Sequence, residues 1–397
     1  MKIVDVESFV IGNPWKAWYV ALVHTDEGIT GIGEAEGWLW AEAVRAFVEQ
    51  NKELLFLGRD PFRIEELRRR FRLEVYERWG YGHTSLGALA AVESACFDIV
   101  GKALGVPCAT LLGGRVHDRL RVSANGWYTH VTTPESWGDR AREVVEEHGY
   151  TALKFDPFGS AYRELGLEGM RVAEERIAAV REAVGDKVDL IIEAHGRFSI
   201  AEAVKIGRMI EPYRILWYEA PLHNFLDADA HLQVKERVSV PISTDLAAIR
   251  DRWECLEFCR KKAVDVLQPD FRHNGGVLET KLMAELAETF AIQYAPHQAN
   301  GPVGTAIYAQ LNATCSNFLI QEHFEKFASP EWLREVFPDF LIAAGDGFLD
   351  VPDQPGWGIS FDREAARRRP LQNRAGQISI FSPGWERRSF ERPPRIE

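Results

Sequence analysis

Apolar and polar residues alternate along IVDVESFVIG, WYVALVHTDEG and ITGIGEAE, and turn residues such as Asn13, Pro14 and Gly28 separate these runs. Residues 1 to about 36 are therefore predicted to form a β meander. From about 41 to 105 the spacing becomes helical, in EELRRRFRLEVYERW and LGALAAVESACFDIVGKALG, and the Gly and Pro of LGVPCATLLGG close that region. Short apolar runs then recur at RVSANG, ALKFDP, LIIEAH, ILWYEA, VPISTD, VDVLQPD, AIQYAPH and NFLIQEH. Helical stretches such as GMRVAEERIAAVREAVG and LETKLMAELAETF lie between them. A strand, a helix and two turns need roughly 30 residues on a parallel return, so the runs read as successive βα units. The expected class is α/β, a (β/α)₈ TIM barrel over 121–330 beneath an N-terminal α+β cap over 1–120. The Pro-, Gly- and Arg-rich segment 331–397 is expected to pack back on the cap, with a frayed end at RRSFERPPRIE.

The polar residues that end these runs change the picture from fold to chemistry. Glu193, Glu219 and Asp245 stand 26 residues apart, each at a strand's carboxyl end, where the active site of a closed barrel lies. Three carboxylates on neighbouring strands make a hard, oxygen-rich site suited to Mg²⁺. For Asp245 the competing reading is an N-cap of the helix that begins at LAAIRDRW.

Length and composition narrow the partners. At 397 residues the chain exceeds a single core, which agrees with a barrel plus cap. Its net charge of −12 argues against nucleic acid, which demands a basic surface, but leaves room for an anionic small substrate beside a metal and local lysines. Cys96, Cys108, Cys255, Cys259 and Cys315 lack the paired spacing of a zinc site and read as reduced thiols. The N-terminus has no basic region ahead of an apolar core, and no run of 18 apolar residues appears, so a cytoplasmic location without membrane partners is expected.

With DIVGKALGVPCATLLGG, Lys154 in ALKFDP, Glu193 in IIEAHGRF, Glu219 in WYEAP, Asp270 in LQPDFRHNGG, His297 in APHQANGP and Glu322 in IQEH, the chain resembles the enolase superfamily, and within it the mandelate racemase subgroup, over nearly its full length. The resemblance implies Mg²⁺-assisted removal of a proton α to a carboxylate. That proton is weakly acidic because its loss adds a second negative charge to an anion, so a divalent cation must offset the charge as it grows. His297 would be the base, and Asp270 the carboxylate that fixes its tautomer. Around His195 the chain resembles the galactonate dehydratases, which carry an acidic ligand, one spacer and then His-Gly-Arg. That likeness implies that His195 protonates the departing β-hydroxyl. Two-residue spacing on a strand would turn Glu193 and His195 to one face.

Many of these relatives have Lys-x-Lys where Lys154 and Asp156 stand, so two-base racemisation is not expected. Lys154 is expected to neutralise the substrate carboxylate, and Glu322 to hydrogen-bond one of its oxygens. Asp156 is expected near the substrate, orienting Lys154. Relatives close the barrel mouth with cap loops, which makes Trp15, Lys16 and Trp38 substrate-lid candidates. His130, His273 and His323 read as structural or rim residues. PISTDLAA departs from the Gly-Glu usual after the fifth strand and places a shorter carboxylate there. The expected activity is acid-sugar dehydration to a 2-keto-3-deoxy acid. The alternatives are a sugar-acid cycloisomerase on the same scaffold and a metal-poor, non-catalytic sugar-acid binder. Association into a homo-oligomer is expected.

Overall fold

The computed structural model describes residues 1–12, 16–37, 40–77, 82–223, 227–244, 249–299, 301–328 and 330–370. The cap begins with an antiparallel sheet, β1 (Ile3–Gly12), β2 (Ala17–Thr25) and β3 (Thr30–Glu36), in chain order. Helices α1 (Ala41–Leu55), α2 (Ile64–Phe71) and α3 (His83–Leu104) follow. Almost the whole of α3 is buried, and the sequence of β3 explains how it comes so close to the sheet. A Cβ at Gly31 or Gly33 would be driven into the carbonyl oxygen of Ala95 or Ala91. Glycine at alternate strand positions thus clears one face for a helix backbone. Among the described residues α3 is the helix long and apolar enough to cross a membrane, yet 94% of its apolar window is buried inside the protein.

Eight parallel strands follow in chain order: β4 (Arg119–Ala124), β5 (Ala152–Phe155), β6 (Asp189–Glu193), β7 (Ile215–Glu219), β8 (Ile242–Ser243), β9 (Val266–Leu267), β10 (Gln293–Tyr294) and β11 (Gln321–His323). β11 pairs with β4, and Tyr294 bridges Phe318 in parallel. These contacts close the ring at the eight runs that the sequence pattern predicts. β12 (Phe348–Asp350) adds an antiparallel edge to β4.

The period of two along the strands explains how the barrel builds a site above its own core. Ala152, Ile191, Trp217, Val266, Ala295 and Ile320 form one buried cluster. Two residues further along five of these segments stand Lys154, Glu193, Glu219, His297 and Glu322. A strand returns to the same face every second residue, so an apolar layer gives way to a charged one.

The cap is tied to the barrel by carboxylates placed at helix N-termini, where backbone N–H groups lack partners. Glu34 on β3 accepts from Gly301 and Gly304 at the start of helix Pro302–Asn312. Glu93 on α3 accepts from Val277 and Leu278 at the start of helix Val277–Thr289. From the C-terminal segment, Arg363 and Arg367 pair with Glu7, and Phe361 packs edge-on to Phe9. RRSFERPPRIE lies outside the described residues.

Candidate active site

Glu193 and Glu219 end adjacent strands as direct register partners, which brings two carboxylates side by side. Trp217, on the same face of β7, donates from Nε1 to Glu219 Oε2 at 2.9 Å. The Lys154 ammonium lies between Glu193 Oε2, at 2.8 Å, and the carboxylates of Glu219 and Glu322. All four side chains are buried. Burial alone would lower the pKa of Lys154, but Glu193, Glu219 and Glu322 raise it well above the lysine range. Burial and the neighbouring Glu193 push the Glu219 carboxyl well up. Glu193 moves the other way: burial would raise it, and His195 and Lys154 hold it below the usual carboxylate range. One ammonium among three buried carboxylates leaves a surplus of negative charge, which a hard divalent cation would offset.

The third expected ligand, Asp245, lies beyond the described part of its strand. β8 aligns Ser243 with Glu219, so the 26-residue interval overshoots the register by two positions, and Asp245 lies outside the described residues. Among the described residues no three His, Cys, Asp or Glu groups form a ready metal cage. Helix Arg252–Lys261 is capped by Asp251, and the start of LAAIRDRW, like Asp245, lies outside the described residues.

Asp270 follows β9 and caps the short helix Phe271–Asn274. His297 Nδ1 lies 2.9 Å from Asp270 Oδ2, and Arg272 Nη2 lies 2.5 Å from the same oxygen. Burial works to raise the Asp270 pKa, but Arg272 and His297 hold it far below the carboxylate range. An ionised carboxylate only accepts, so Nδ1 of His297 carries the hydrogen and Nε2 is left as the basic atom.

Across the ring a second pair repeats this arrangement. His195 Nδ1 lies 2.7 Å from Asp156 Oδ2, and Arg197 pairs with that same oxygen. β6 and β10 are the third and seventh of eight strands, so His195 and His297 rise from opposite sides of the barrel. The strand-alternation argument for His195 is corrected here, because β6 stops at Glu193 and His195 turns into the left-handed region at φ 49°. Its backbone N–H donates to Glu193 Oε1 at 2.6 Å, and that turn, not the pleat, brings the two together.

Asp156 also needs correction. It is 1% exposed and its carboxylate contacts His195 and Arg197, not Lys154. Glu322 accepts from Asn125 Nδ2 and Lys154 on one oxygen and from the Gln298 N–H on the other. Although burial raises it, Lys154 and His297 lower its pKa overall. An ionised Glu322 offers no donor to a substrate carboxylate; it anchors Lys154 instead. Lys16 donates to the Ala299 carbonyl at 2.7 Å, tying the cap to the loop after His297. Trp15 and Trp38 lie outside the described residues. His323 is a structural residue, bonded to the Tyr150 hydroxyl at 2.7 Å and pushed down to about 3 by burial. His273 meets His83 of the cap, Nδ1 to Nδ1, at 2.7 Å. All five cysteines are free and buried.

Two arginines that pair with the buried aspartates escaped the sequence reading, Arg197 and Arg272. Each stands two positions after a residue it serves, in HGR and PDFR, and a buried arginine beside a predicted His or Asp was the available signal.

Comparison with known proteins finds relatives along nearly the whole chain. Residues 136–365 match the enolase C-terminal domain-like family, and residues 10–113 match the mandelate racemase / muconate lactonizing enzyme N-terminal domain. A D-gluconate dehydratase of Thermoproteus tenax is 36% identical, the match covering 92% of this chain and 73% of that protein. A D-gluconate/D-galactonate dehydratase of Picrophilus torridus is 33% identical, over 94% of this chain and 93% of that one. The crystal structure of a mandelate racemase/muconate lactonizing enzyme from Sulfitobacter sp. superposes with a TM-score of 0.87 at 31% identity, covering 94% of this chain and 96% of the other.

Proposed function

The chain belongs to the mandelate racemase / muconate lactonizing enzyme family of the enolase superfamily, and from that premise we propose that it dehydrates an acid sugar to a 2-keto-3-deoxy acid. It is a hydro-lyase, as its relatives named for gluconate and galactonate are. Supporting the mechanism is one observation: two histidines, each backed by an Asp and an Arg, face each other across a floor of buried carboxylates.

His297 Nε2 takes the proton from the carbon next to the substrate carboxylate. The C–H electron pair first passes into the carboxylate as an enolate, and then returns to form the C2=C3 double bond as the C3–O bond breaks. The oxygen leaves as water with the proton that His195 Nε2 delivers, and the enol ketonises. Glu193, Glu219 and Asp245 would hold Mg²⁺, whose charge offsets the negative charge that grows on the substrate carboxylate. Lys154, anchored by Glu322, adds a fixed positive charge beneath that carboxylate.

The test is a panel of aldonates, gluconate and galactonate included, assayed for 2-keto-3-deoxy acid with Mg²⁺ and again after chelation. Product that depends on Mg²⁺ supports the reading. Conversion of a sugar acid or its lactone to a product of equal mass, without loss of water, would replace it with cycloisomerisation.

A further inference from the structure

Asp156 occupies the position after Lys154 and its neighbour where a second base would enter the barrel, and the structure puts it to another use. Its Oδ2 accepts from His195 Nδ1 at 2.7 Å and from Arg197, while Oδ1 accepts from the Phe158 N–H at 2.9 Å. Arg197 is fully buried and donates also to the carbonyls of Ala194, at 2.7 Å, and Gly159, at 2.5 Å. The guanidinium thus joins the loop after β5 to the loop after β6. His195 itself is 34% exposed while its partner carboxylate is wholly enclosed, so the ring is gripped at Nδ1 from the protein interior.

The backbone is gripped as well. His195 stands at φ 49°, and a non-glycine residue at positive φ is strained and persists only where its surroundings over-determine it. Here the His195 N–H is held by Glu193 Oε1 at 2.6 Å, and the next N–H, of Gly196, by the Ala220 carbonyl at 2.7 Å. The ring, the backbone and the loop behind them are all constrained by groups that converge on one side chain.

We propose that Asp156, clamped by Arg197, is the positioning residue for His195, forming a second His–Asp–Arg relay that mirrors His297–Asp270–Arg272. A carboxylate on Nδ1 dictates that the hydrogen there points inward, so Nε2 is the atom that delivers a proton to the leaving hydroxyl. The carboxylate's negative charge offsets the positive charge of the ring when it holds both protons. Asp156 therefore governs elimination and not α-proton removal. The inference rests on the dehydratase reading and deepens it.

A double-mutant cycle with Asp156→Asn, His195→Asn and the pair tests it, reading dehydration, α-proton exchange in D₂O and thermal unfolding together. Asp156→Asn should lower dehydration roughly 10²- to 10⁴-fold while exchange stays within a few-fold of wild type. In the His195→Asn background the same change should alter turnover less than about twofold. If Asp156→Asn does not fold, Asp156→Leu with Arg197→Met removes both charges without stranding either, and exchange against elimination is read from that variant. Near-normal dehydration in Asp156→Asn, or an undiminished loss in the His195→Asn background, overturns the proposal while leaving the dehydratase reading intact. A wild-type chain that dehydrates no acid sugar defeats the parent reading, and this one with it.

Discussion

Lys154 shows how one side chain can serve two masters. Its ammonium pairs with Glu193, Glu219 and Glu322 and offsets part of their charge, so the chain can fold with these carboxylates together before any cation arrives. Removing one partner of a buried ionic cluster strands the others, at about 3–5 kcal/mol. Lys154→Met should therefore lower the melting temperature of chelated protein and make Mg²⁺ restore more of it than in wild type. Calorimetry with and without Mg²⁺ checks this, and an equal Mg²⁺ response in both proteins would contradict it. Glu193 and Glu219 were legible in the sequence because strand ends converge in a barrel, and Asp270 and His297 because their motifs carry the family resemblance. The partners of Asp156 and Glu322 were not, because whether a carboxylate faces substrate or a buried cation depends on loop turns. The left-handed turn at His195 is such a case: strand alternation pointed to a neighbour of Glu193 for a reason that does not hold.

At the scale of elements, all eight barrel strands were visible as apolar runs, yet register was not. A run of six or seven residues contains strands of only two at β8, β9 and β10, so the pattern does not say that Ser243 is the residue level with Glu219. Nor does pattern reveal docking across domains, where single carboxylates matter. Burial pushes both Glu34 and Glu93 up to about 7, against the opposing pull of Arg272, Lys16 and Gly301 and Gly304 N–H groups on the first and of Arg68 and helix N–H groups on the second. A carboxyl whose folded pKa exceeds its unfolded value near 4.5 binds its proton more tightly when folded. Its stabilising share is complete below that unfolded value and is lost as pH rises through 7, by on the order of 1–3 kcal/mol per group. Relative to Glu34→Gln/Glu93→Gln, wild type should lose melting temperature between pH 5 and pH 8. Comparing the two proteins cancels the opposite contribution of His323, whose lowered pKa favours the fold as pH rises. A constant difference across that range would show that the seam stays ionised.

For the whole molecule, the closed ring matters because it sets the third and seventh strands opposite each other. A proton can then leave one face of a substrate while another is delivered to a different face, and the cap spans the mouth through Lys16 and the two glutamates. The account stands on that division of labour. The direct measurement is proton NMR in D₂O with Mg²⁺ and an aldonate that the wild type dehydrates, run on His297→Asn and His195→Asn. His297→Asn should lose α-proton exchange and dehydration together, by roughly 10²- to 10⁴-fold, whereas His195→Asn should keep exchanging the α-proton while forming almost no 2-keto-3-deoxy acid. Near-normal dehydration in either variant would contradict the account.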